Sequence, residues 1–516
     1  MKRLLTWMLA IAMMATMMVP SLAVAEEPIT LQWYYVNDND VTAPMNDWLK
    51  AEIEAAFNVK LEMIGRPGPD QADWYQREIA SGREFDYFET GGHGMSAYVK
   101  YVEDGLVMEL DEAMIRENMP KLSAYYDKYA DAFGGNVFDW YRIDGKVYSI
   151  PMTRPGDAKR NVVGVRGDWL EELGLEVPKT LEDFEVVLDA FTYGDPDGNG
   201  EDDTYGFTGN NWTSWSLSPI SQAFGVNMDI WYLNDEGQVV FGTVQPEMKQ
   251  FLETLNRWYK AGYFPTEIWA QGWDPMRAHM TSGVAGACVQ SFDAFLLKDG
   301  GWALGDLLLT NPDAWFEVIP GFAGPDGDYG CMQFNPVTFA GWMFSKGMEN
   351  QPEKLSKYMQ VMDALMFDAE WVCKAMYGPK DIGWTIDENG RYVQTGTDTT
   401  VEYPSVAGHQ ISEIQNFFND PDFDTLINES ANPEYYAKAK VAFAEACGVF
   451  DVTSSIAGAR PMNDQYKAAM SEVINTYLPQ IIAGERPIDD FDRMVEEWYA
   501  AGGTEVTAEL QALLNK

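Results

Sequence analysis

Positive charge is scarce in this sequence: 36 Lys and Arg stand against 80 Asp and Glu, a formal net charge of −44 over 516 residues. A surface this acidic repels phosphodiester backbones and anionic headgroups, which argues against nucleic acid and membrane surfaces as partners. Cysteine is scarcer still. Cys288, Cys331, Cys373 and Cys447 show no CxxC spacing and are too few for a disulfide scaffold; burial as small side chains, or one or two disulfides, would accommodate them. The three histidines, His93, His279 and His409, share no metal-ligand spacing. Serine-nucleophile, zinc-protease and phosphate-cradling glycine motifs are missing. So many carboxylates make some close pair inevitable, so none identifies an acid/base dyad. Catalysis therefore has no positive support. Internal repeats and low-complexity linkers are lacking, and after the N-terminus no apolar run looks transmembrane.

What is present is enough for a packed interior. Hydrophobic residues make up 46% and aromatics 14%, the range of a globular protein despite the charge. Lys2 and Arg3 precede an apolar run from Leu4 to Val19, and Ala23, Val24 and Ala25 supply a small-x-small cleavage pattern. Residues 1–25 are thus expected to be a signal peptide, giving an extracytoplasmic protein, periplasmic or at the cell surface, that does not insert in the membrane after cleavage. No cysteine follows the run to accept a lipid.

The mature chain begins with a β-α-β-α-β pattern: strands at 29–36, 59–64 and 85–90, helices at 44–57 and around Trp74, Tyr75 and Ile79. Such spacing predicts an α/β fold with a parallel sheet whose ligands lie beyond the strand carboxyl ends. A hairpin is expected at 140–150 around Asp144 and Gly145. Helices follow at 168–173, stopped by Gly174, and from Thr180, where Thr180 and Asp183 form a capping box. Further helices are expected at 247–261, at 351–366 and from Pro487, the last burying Phe491, Met494, Val495 and Trp498. Without a linker, two lobes must share the chain discontinuously: residues 26–150 mainly in the N-terminal lobe, 151–340 mainly in the other, and 341–516 returning to both.

One segment has metal-site spacing. In the loop 195–206, oxygen-bearing side chains recur at Asp195, Asp197, Asn199 and Asp203, Gly200 takes the sharp-turn position, and Glu201 offers its carbonyl. This is the pattern of a calcium loop, except that Gly206 stands where a bidentate Glu would close it. Aromatic residues are abundant, with 18 Trp, and several lie among Gly, Asn and Asp instead of on helix faces. Trp212, Trp273 and Trp384 are placed like platforms for sugar rings, whose apolar faces stack on indole. Trp169, Trp258 and Trp498 fall on helix faces and belong to the core.

Four stretches together resemble the extracellular solute-binding proteins of carbohydrate ABC importers (family 1), in the large branch with lipoprotein-like and alginate-binding members. They are Arg142–Pro151, with Ile143, Asp144, Gly145 and Lys146; Arg166–Phe184, with Asp168, Trp169, Leu170, Leu173, Gly174, Pro178 and Thr180; the loop 195–206; and Pro487–Gly503, with Asp489, Asp490, Phe491, Glu496, Trp498 and Gly502. The resemblance implies a two-lobed periplasmic-binding-protein-like fold with a hinge and an interlobe cleft. It also implies a non-enzymatic, monomeric receptor that delivers an oligosaccharide to a permease. Its calcium ligands fall on Asp195, Asp197, Asn199, Glu201 through its carbonyl, and Asp203, the ion serving a structural role. Thr204 departs from members that carry an acid there. The cleft candidates are Asn37, Glu89, Thr90, Arg154, Trp212, Trp273, Ser291, Phe292, Asp293 and Trp384. A secreted calcium-dependent polysaccharide lyase or glycosidase would suit the same aromatics, carboxylates and calcium, and a peptide receptor could use a similar scaffold.

Overall fold

The computed structural model describes residues 27–514 apart from 37–46, 68–70, 90–93, 154–160, 212–213, 299–301, 332–336, 398, 400 and most of 409–459. Its principal strands, in chain order, are β1 (Ile29–Val36), β2 (Val59–Arg66), β3 (Tyr87–Glu89), β4 (Ile150–Thr153), β5 (Asn161–Arg166), β6 (Trp231–Leu233), β7 (Val239–Phe241), β8 (Ala287–Ser291), β9 (Phe316–Ile319) and β10 (Val337–Phe344). β1 and β2 pair in parallel, with Ile29 opposite Val59 and Val36 opposite Arg66. The helix Trp48–Phe57 makes the crossover and buries Leu49 and Ile53, and Asn58 takes a left-handed conformation that turns the chain directly into β2.

β3 departs from the expected parallel sheet. It is only three residues long and pairs antiparallel with β10, Tyr87 opposite Phe344 and Glu89 opposite Trp342, while β10 also pairs with β4. The link to β1 runs through side chains instead: the Gln32 and Asp86 backbone N–H groups donate to Asp86 Oδ2 and Gln32 Oε1 respectively, each at 2.9 Å. A strand from some 250 residues downstream thus takes the ladder that sequence proximity assigned to β1. The expected hairpin contracts as well. Asp144 and Gly145 both have positive φ, as a mirror-image turn requires, but only Ile143 and Lys146 bridge across it, and Val137–Tyr141 is a 3-10 helix.

Two main hydrophobic cores organise the molecule. The first draws on residues between Leu31 and Met152 and again between Val337 and Ile411. The second surrounds β5, flanked antiparallel by β8 and β9, and draws on Val163 to Phe322 and then on Tyr477 to Met494. Its helices are those expected: Gly167–Glu172, Leu181–Tyr193 with the Thr180–Asp183 capping box formed in both directions, and Met248–Lys260. The helices Pro461–Ala483 and Asp490–Trp498 complete it. Trp169, Trp258 and Trp498 are buried, the last stacked on Phe241 of β7 at 5.3 Å. Cys288, Cys331 and Cys373 are buried, Cys331 Sγ lying 3.3 Å from the Ser218 hydroxyl, and burial pushes the Cys373 thiol up to about 12; Cys447 lies outside the described residues.

Candidate functional site

Among the cleft candidates, Asn37, Thr90, Arg154 and Trp212 lie outside the described residues, and of Glu89 only the backbone, ending β3 opposite Trp342, is described. Trp273 opens the helix Trp273–Thr281 and is 38% exposed, with its ring edge-on to Trp302 at 5.0 Å. Ser291 ends β8 as a buried residue, and the half-buried Phe292 and Asp293 begin the short helix after it. Trp384 is different. It is wholly buried in the first core and donates from Nε1 to the Gly378 carbonyl at 2.9 Å, so it offers no open face for a sugar ring. Its place after Gly383 reads locally as a loop; its burial is set by the surrounding core.

A polar cluster beside β8 escapes motif reading altogether. Tyr205 bridges in parallel to Ala285, and Thr208 N donates to Ala287 O at 2.9 Å, so residues 205–208 run along β8. The buried Thr208 hydroxyl lies 3.2 Å from His279 Nδ1 and accepts from Gln271 Nε2 at 2.9 Å; the same amide donates to Gly209 O. Burial lowers the His279 pKa from its ordinary value, with Glu267 opposing. Ser216 Oγ accepts from Asn210 N at 2.8 Å and donates to Asn210 O at 3.0 Å. The only sequence trace of this cluster is the run of Asn, Ser and Trp around 210–216. A surface pocket of about 530 Å³ between Ile29, Thr30 and Asn350–Lys354 sits at the amino end of β1, away from the strand ends that bind ligands in such sheets.

The acidic loop folds back on itself. Gly200 N donates to Asp195 Oδ1 at 3.2 Å and Oδ2 at 3.1 Å, and Glu201 N donates to Asn199 Oδ1 at 2.7 Å. Asn199 Nδ2 reaches Asp197 Oδ2 at 3.0 Å and Asp203 Oδ1 at 3.1 Å, a positive amide pole held between two carboxylates. Asp195, Gly198 and Gly200 all have positive φ, the conformation that curls the loop around its own oxygens. Hard oxygen donors converging on one amide fit a hard cation, provided that amide turns its Oδ1 inward. Among the described residues, no three acidic, histidine or cysteine side chains lie close enough to hold a metal as they stand.

Comparison with known proteins agrees with this architecture. Over 486 residues the chain is 23% identical to the polygalacturonan/rhamnogalacturonan-binding protein YtcQ of Bacillus subtilis, covering 91% of this chain and 88% of YtcQ. It is 26% identical over 286 residues to the fructooligosaccharide ABC transporter substrate-binding protein FusA of Streptococcus pneumoniae, covering 52% of this chain but only 49% of FusA. The fold matches a FusA EF-hand mutant in complex with fructo-nystose with a TM-score of 0.70 at 17% identity, covering 94% of this chain and 99% of that one. It also matches alginate-binding protein AlgQ2 without calcium ion, with a TM-score of 0.67 at 17% identity over 95% and 99% of the two chains. The family model for bacterial extracellular solute-binding proteins matches residues 48–348, more than half of the chain. Two cores on one discontinuous chain, the periplasmic-binding-protein-like fold and this match lead to one conclusion: the chain belongs to the bacterial extracellular solute-binding protein family.

Proposed function

We propose that the protein is a non-enzymatic extracytoplasmic receptor that closes two lobes on an oligosaccharide and delivers it to the permease of an ABC importer. Membership of the solute-binding family carries this reading. Two separate cores support it mechanically, because lobes that share little interior can hinge. One lobe takes the chain up to Thr153 and again 337–411; the other takes 161–331 and 461–514. The relatives whose names give a ligand bind saccharides, which favours a sugar over a peptide. Trp273, backed by Trp302, supplies an apolar ring face at which a pyranose or furanose ring can stack. Asn37, Glu89, Thr90, Arg154, Trp212, Ser291, Phe292 and Asp293 are the further candidates to line the cleft. A cleaved signal would place the receptor, a monomer, outside the cytoplasm, in a periplasm or at a cell surface.

Calcium fits the 195–206 loop through the side chains of Asp195, Asp197, Asn199 and Asp203 and the carbonyl of Glu201. Bound there, the ion would neutralise mutual repulsion among the carboxylates and stiffen the loop. Its role is structural, a reading favoured by the likeness to an EF-hand mutant of FusA and to AlgQ2 without calcium ion.

A thermal-shift series tests both parts. Kestose, galacturonan oligosaccharides and a peptide mixture are added to calcium-loaded protein. A saccharide at 100 times its Kd adds about 2.7 kcal/mol to the folded state and raises Tm. Saccharides recovered intact are the expected result; new reducing ends or unsaturated products would identify a glycosidase or lyase, and stabilisation by peptides alone a peptide receptor. Chelation should lower Tm, and the Asp195→Asn and Asp203→Asn variants should lose that response. Equal Tm with and without chelator would make the loop an ordinary acidic turn.

A further inference from the structure

The sheet of the second lobe is apolar in its middle and polar at its strand ends. β5 reads Asn161, Val162, Val163, Gly164, Val165, Arg166, and β8 reads Ala287, Cys288, Val289, Gln290, Ser291; all eleven residues are buried. At one end of β5 Arg166 donates to the Asp168 carboxylate; at the other, Asn161 stands opposite Ser291, the last residue of β8, with Gln290 next to it in β8 and opposite Val162. Asn161 is 0% exposed, and neither its Nδ2 nor its Oδ1 has a hydrogen-bond partner; Gln290 Nε2 is buried and equally unpartnered. By contrast, the buried polar groups nearby along β8, Thr208 and Gln271, satisfy each other. An amide buried with both its donor and its acceptor unmet costs free energy that a native fold does not carry without cause. Val163 and Val165 of the second core alternate along β5 with residues of the opposite face, so Asn161 and Ser291 share the face of that core at the strand ends, while Gln290, paired with Val162, faces the other way. Those ends are where the chain arrives from the first lobe and where Phe292 and Asp293 begin.

We propose that Asn161, with Ser291 opposite it on the same face, is a binding floor for sugar hydroxyls at the lobe-facing end of this sheet. The inference rests on the oligosaccharide reading and deepens it. A primary amide presents a donor and an acceptor side by side, and a sugar hydroxyl is itself both donor and acceptor, so a single hydroxyl or an adjacent pair satisfies both amide atoms. A valine or leucine at this place would suit the apolar sheet better; the amide is explained by what it meets when ligand is bound. The unpaired state also sets a direction, since ligand binding relieves a cost already present in the free protein.

The test uses Asn161→Leu, close in shape but without polar atoms, and Asn161→Ala as a second variant, both in the full mature chain with calcium. Kestose and galacturonan oligosaccharides are the probes, read by calorimetric titration and by Tm. The expected result is a free-protein Tm for Asn161→Leu equal to or above that of the wild type, with affinity for the stabilising saccharide lowered roughly tenfold or more in both variants. A lower free-protein Tm with unchanged affinity would mean that the amide holds an internal water or serves packing, and would overturn the proposal. If the wild type binds no saccharide of the panel, the receptor reading fails first and the floor with it; wild-type binding with unaltered affinity in the variants sinks the floor alone.

Discussion

At the scale of single residues, what surrounds a side chain decides its chemistry more than its type does. Trp273 and Trp384 look alike in sequence, each beside a glycine, yet one is 38% exposed and the other fully buried. Histidine shows the same dependence. The His279 ring is half-buried, meets the Thr208 hydroxyl through Nδ1 at 3.2 Å and packs 5.7 Å from the Tyr205 ring, so burial disfavours the imidazolium. Its folded-state pKa is therefore depressed relative to the unfolded chain, which binds more protons below about pH 6.5. The contribution to stability is fully present above that pH and is lost as the pH falls through the window below it. Proton NMR of the three imidazoles, with His279 assigned by its loss in His279→Gln, should give a midpoint below the ordinary histidine value. A midpoint above it would place a carboxylate, and not burial, in control.

Elements were legible where they are local. The capping box at Thr180 and Asp183, the left-handed stop at Gly174, and the amphipathic helices at 248–260 and 352–366 all depend on residues within a few positions of one another, and all form as their patterns require. β10 was invisible as an organiser because its partners, β3 and β4, are set by tertiary pairing across most of the chain. Its irregular middle adds to the difficulty: Gly341 has φ +71°, and a Cβ there would stand 1.7 Å from Ile150 O. The proposed sugar floor was the least legible part, since Asn161 becomes notable only when its lack of partners is known. Glycine substitutions separate local strain from tertiary collision. Gly174→Ala, at φ +64° but in open space, should cost about 1 kcal/mol, while Gly341→Ala, which adds backbone overlap, should cost more than about 3 kcal/mol. Urea unfolding monitored by fluorescence measures both, and equal losses would show that β10 yields without difficulty.

On the scale of the molecule, the two cores differ in how they depend on the end of the chain. Among the described residues, the first draws on none beyond Ile411, whereas the second requires Tyr477, Leu478, Ile481, Ile482, Phe491 and Met494 from the C-terminal helices. Fully burying a large apolar side chain contributes roughly 1.5–3 kcal/mol, so losing six removes about as much as a whole domain's net stability. A chain truncated after Arg460 should therefore lose the second core. It should keep the first, even though an unfolded stretch of chain between β4 and β10 then interrupts it. Closing a longer flexible loop adds only about 0.6 kcal/mol per doubling of its length, and β10 remains anchored between β3 and β4, with Tyr141 donating to Val337 O at 3.3 Å where the strand begins. Limited proteolysis of the truncated chain should digest the region between residues 161 and 331 and spare peptides from 47–153 and 337–397. Near-ultraviolet dichroism from the buried Trp33, Trp342 and Trp384 should persist. Saccharide binding should vanish with the second lobe. Complete digestion of both regions would mean that the first core folds only when the second supports it, and that the lobes are one cooperative unit instead of two bodies able to hinge.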